Sequence, residues 1–81
     1  MTDTRKFNFN KDAAIAKLAK MPDDEPVFVL RAHDVAASHA INSWIDWAGA
    51  LGAKQEKLDG AEEHLMAFIA WQSVHGTKVP D

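Results

Sequence analysis

Four histidines and a scatter of carboxylates are the residues of this chain with the chemistry for metal or acid/base work. His33, His39, His64 and His75 never fall at the i, i+4 spacing that sets two imidazoles on one helical face. Glu62-Glu63-His64 holds the residue types of a bundle metal site, but such sites need a Glu-x-x-His spacing on each of two helices. His39, Asp46 and His64 are the best remaining set for a small metal-dependent enzyme, and only tertiary packing can bring them together. A serine nucleophile fares no better. Ser38 and His39 are neighbours that point about 100° apart on a helix, and Ser43 has no strained glycine turn to present it. The glycines are too dispersed to cradle a phosphate. No catalytic residue, metal ligand set or cofactor site is expected, and the chain reads as a non-enzyme.

Composition narrows the remaining classes. At 81 residues the chain makes one small domain, spanning residues 1–81, that hides roughly 60–65% of its unfolded surface. Cysteine is absent, so disulfides and thiolate metal sites cannot supply the extra stability that small scaffolds need. That leaves packing quality or a second copy of the chain. The formal charge of −3 is mild, and the basic residues form no stripe of the kind that neutralises phosphates. Nucleic acid is therefore an unfavoured partner, and a nucleic-acid-linked regulator is the last alternative. No stretch has the apolar length of a membrane span, and no apolar block follows the N-terminal basic residues. A cytoplasmic location is expected.

The elements follow from periodicity. The fold expected is mainly α: a short N-terminal helix, one short strand, then an antiparallel αα-hairpin. Residues 1–9 read as an extended arm, with Phe7 and Phe9 alternating at the period of a strand. Asn10 caps a helix over Lys11 to Lys20, with Ala14, Ile15, Leu18 and Met21 on one stripe and Pro22 ending it. After the acidic loop, Val27-Phe28-Val29-Leu30-Arg31 is β-branched and aromatic, which predicts a strand. That strand needs a partner for its amides: Phe7 to Phe9, or the same strand of a second molecule across a two-fold axis.

Asp34 is placed to cap a second helix from Val35 to about Leu51, with a stripe of Ala37, Ile41, Trp44, Ile45, Ala48 and Leu51. Gly52 supplies the turn that ends it. A third helix starts at Lys54 or after Asp59, where Asp59-Gly60-Ala61-Glu62 has the spacing of a capping box. Its stripe runs through Leu65, Phe68, Ile69 and Gln72 to His75, and Gly76 closes it.

Three tryptophans are a heavy aromatic load for this length. Trp44 falls on the predicted core stripe, whereas Trp47 and Trp71 lie beside theirs. Either all three wrap a small core, or Trp47 and Trp71 extend the apolar surface beyond what one chain can bury, and tryptophan is enriched at binding hot spots. Trp47, Trp71 and the strand residues Val27, Val29 and Arg31 are the predicted partner-binding set, with a protein partner and a homodimer as the expected associations.

Two resemblances bear on this reading. His33-Asp34 is the dipeptide that HD-type phosphohydrolases place among their metal ligands, but those enzymes need further ligands over a much longer helical domain. Glu25-Pro26-Val27-Phe28-Val29-Leu30-Arg31, taken with the ending Trp71 to Asp81, resembles small proteins carried by phages and prophages. That resemblance implies no catalytic residues. It implies a phage accessory factor that binds a host or defence protein.

Overall fold

The computed structural model describes residues 9–80 and is mainly helical. Helix α1 spans Lys11–Ala19, α2 spans Ala37–Ala50 and α3 spans Gln55–His75. Asn10 starts α1 as its residue type predicts: its side-chain oxygen accepts a 3.0 Å hydrogen bond from the Ala13 N–H. Pro22 follows the end of α1, and the turn beyond it closes when Glu25 N–H donates to the Pro22 carbonyl at 3.2 Å.

Helices α2 and α3 pack together, and α1 packs on neither. The seam consists of half-buried positions at steps of three and four. They are Ile41, Ile45 and Ala48 on α2, with Leu58, Ala61, Leu65, Phe68 and Gln72 on α3. Among the described residues Ala37 alone is buried, at 0% exposure. Without a neighbouring helix, α1 leaves Ile15 and Leu18 exposed, and only Ala14 and Met21 of its predicted stripe are half-buried.

Several expectations need correction. Asp34 does not cap α2 directly. Its side chain accepts from Ala36 N–H at 2.8 Å and its carbonyl from Ala37 N–H at 3.1 Å, forming a turn ahead of the helix. The capping box at Asp59 goes unused, because α3 already begins at Gln55 and runs through Gly60. Asp59 instead accepts a hydrogen bond from the Gln55 side chain at 2.9 Å, one turn back on the same face. Trp44 and Leu51 leave the predicted core stripe: Trp44 is 47% exposed and Leu51 81%. The same holds for Ile69 on α3.

The strand predicted over Val27 to Arg31 is not formed. Among the described residues the β pairing consists of an isolated parallel bridge between Asp34 and Lys78. The local sequence favours a strand, but strand structure requires a hydrogen-bonding neighbour, and none is provided among the described residues. One partner proposed for it, Phe7 to Phe9, lies outside the described residues except for Phe9, which is exposed.

Gly52 and Gly76 sit at φ of 93° and 78°, the left-handed region in which helix ends favour glycine. Gly60 has no such need, and a Cβ added there would meet nothing within 4 Å. Gly60→Ala is therefore expected to stabilise the protein by about 0.5–1 kcal/mol, raising Tm by roughly 3–6 °C. Calorimetry showing an unchanged or lowered Tm would mean that α3 is not continuous through this position.

Candidate interaction surface

Trp47 is 69% exposed on α2. Its neighbours at helical spacing are Trp44 and Leu51, so three large apolar side chains share one face beside the seam. Sequence reasoning missed this arrangement because Trp44 satisfies the core spacing as well as the outer one. The bulk of an indole decides the matter. The small α2 residues Ala37 and Ala48 allow close approach to α3, and the tryptophans are left on the flank.

Trp71 has a different setting. Its ring stacks on His75 at 4.2 Å between centroids, with 17° between planes. It also meets His33 edge-on at 6.3 Å and 87°. His75 Nδ1 lies 3.1 Å from the Trp71 carbonyl, so that nitrogen carries the proton and donates. At 38% exposure Trp71 ties the end of α3 to the turn before α2, and its indole is partly engaged within the chain. The two tryptophans do not adjoin. Gly49, near Trp47, packs by the Leu58 side chain, whereas Gln72, next to Trp71, reaches Ala32 and Asp34.

That reach is part of a clamp. Gln72 Nε2 donates to the Ala32 carbonyl at 2.9 Å and lies 3.4 Å from the Asp34 carbonyl. Lys78 N–H donates to the His33 carbonyl at 2.8 Å, and Val35 N–H donates back to the Lys78 carbonyl at 3.0 Å. Residues 32–35 are thus held from α3 on one side and from the C-terminal segment on the other. Arg31, His33, Asp34 and Lys78 line a shallow, open hollow beside this clamp.

Ahead of the clamp, Val27, Phe28 and Val29 are exposed, Phe28 at 85%. Leu30 is half-buried and Arg31 is exposed. Phe28 is the most exposed of the three, and sequence reasoning overlooked it because it was assigned with the strand as a whole.

His39, Asp46 and His64 are all exposed, and Ser43 makes no hydrogen bond with His39. No group of three or more His, Asp or Glu among the described residues is arranged to hold a metal ion. No described helix is long and apolar enough to cross a membrane. No protein-family model, curated protein or solved structure matches this chain.

The clamp gives a direct test. Gln72→Ala removes the donor shared by two carbonyls and is expected to cost about 1–2 kcal/mol in denaturant unfolding. A loss below about 0.3 kcal/mol would show that the carbonyls find water at no penalty and that the Lys78 bonds suffice alone.

Proposed function

We propose that this chain is a non-enzymatic interaction protein, self-associating and able to bury its apolar surface against a protein partner. The observation that carries this reading is the imbalance between core and surface: among the described residues one small side chain is buried while Phe28, Trp47 and Leu51 stand in solvent. Large apolar side chains left in solvent are costly, and clusters of them, such as Trp44, Trp47 and Leu51 on one face of α2, mark contact sites. The helices serve as a scaffold, an antiparallel αα-hairpin whose outer flank offers Trp47 while its end offers Val27, Val29 and Arg31. In the setting that the phage resemblance implies, the partner is a host or defence protein.

The two tryptophans divide the work. Trp47, with no ring neighbour among the described residues, acts as the binding anchor, whereas Trp71 contributes chiefly by holding the binding segment in place. Trp47→Ala is expected to leave unfolding stability within about 0.5 kcal/mol of wild type. The same variant is expected to weaken partner capture by about thirtyfold or more. Trp71→Ala is expected to lower stability by about 1–3 kcal/mol as well as capture. Affinity capture from host-cell lysate, quantified by mass spectrometry against both variants, reads the difference. Equal recovery by wild type and Trp47→Ala would overturn the assignment of the anchor.

A further inference from the structure

From Val27 to Leu30 no backbone N–H or carbonyl makes a hydrogen bond with any other described residue. The segment combines β-branched and aromatic side chains, high exposure and an unpaired main chain, which together make a template for strand addition. Resting on the interaction reading above, we infer that the occupant of this edge is a second copy of the same segment. It pairs antiparallel about a two-fold axis at Phe28.

The charges favour this register. Glu25 precedes the segment and Arg31 ends it, each exposed. An antiparallel pairing centred on Phe28 sets Glu25 of each copy opposite Arg31 of the other. A parallel in-register pairing sets Glu25 against Glu25 and Arg31 against Arg31, and like charges directly opposite are unfavourable. The flanking charges thus reject the parallel arrangement as well as reward the antiparallel one.

Proline supports the same alignment. Pro26 has no N–H and must occupy a non-hydrogen-bonded position of the ladder. Pro26 opposes Leu30 in this register, so both Val27–Val29 pairs become the hydrogen-bonded ones. Phe28 then faces its own copy at a non-hydrogen-bonded site, where Cα atoms approach to about 4.5 Å and side chains lie closest. The most exposed ring of the segment gains an aromatic partner across the axis.

Glu25 N–H is already used in the turn to Pro22, which confines the main-chain ladder to the residues between Pro26 and Arg31. The outer charged pairs close it at both ends.

Sedimentation equilibrium on the full chain tests the register through charge reversal. Wild type is expected to dimerise, and Glu25→Arg or Arg31→Glu alone to weaken the dimer about tenfold or more at low salt. Mixing the two single variants is expected to restore association, because each like-charged homodimer gives way to a heterodimer with every pair matched. The double variant restores it as well. Circular dichroism equal to wild type shows that each variant retains its helices. A wild-type chain that stays monomeric at about 100 µM overturns the dimer. Dimerisation unchanged by either single reversal overturns the register. Neither result touches the partner reading, which fails separately if Trp47→Ala captures as wild type does.

Discussion

The constraint on which this structure depends is a shortage of interior. A chain of 81 residues without cysteine has no covalent staple. Its two packed helices bury one alanine completely among the described residues. The α2–α3 seam supplies the main apolar contact, and most of its positions remain half-exposed. With so little interior, polar contacts that would be secondary in a larger domain decide where whole segments lie.

The clamp at residues 32–35 is the clearest case. Gln72 reaches from α3 to the Ala32 carbonyl, and the Lys78 backbone closes the other side through His33 and Val35. Asp34 adds the turn that leads into α2. Trp71 packs on this arrangement through His33 and His75. One end of the 27–31 segment is therefore anchored, with the Arg31 carbonyl accepting from Asp34 N–H at 3.0 Å, while the main chain of 27–30 makes no hydrogen bond with another described residue. Fixing the emergence of a segment lowers the entropy lost on binding, so the clamp would link the stability of the fold to the proposed use of this segment as an interaction edge.

Much of the helix map is legible in the residues because helix ends have local causes. Asn10 caps α1, and Gly52 and Gly76 lie past the ends of α2 and α3, where positive φ favours glycine. The α2–α3 seam is also legible in part, since Ile41, Ile45, Leu65 and Phe68 recur at helical spacing. What local pattern does not settle is which of two adjacent stripes meets a neighbour. Trp44 fits the seam by spacing and stands outside it by volume, and α1 has an apolar stripe with no helix against it. The strand shows the same limit. Val27 to Arg31 has strand composition, but strand structure is a property of two segments, and the described chain contains one. The clamp was not legible at all, because Gln72 meets the Ala32 carbonyl across a separation of 40 residues.

The proposed self-association would make stability a function of concentration. Thermal unfolding of the wild-type chain, followed by tryptophan fluorescence over about a hundredfold range of concentration, tests this most directly. A Tm that rises steadily with concentration is the predicted result, because the folded dimer is favoured over two unfolded chains by mass action. A Tm that stays constant over the whole range would contradict it, and would mean that the folded chain stands alone with its apolar surface uncovered.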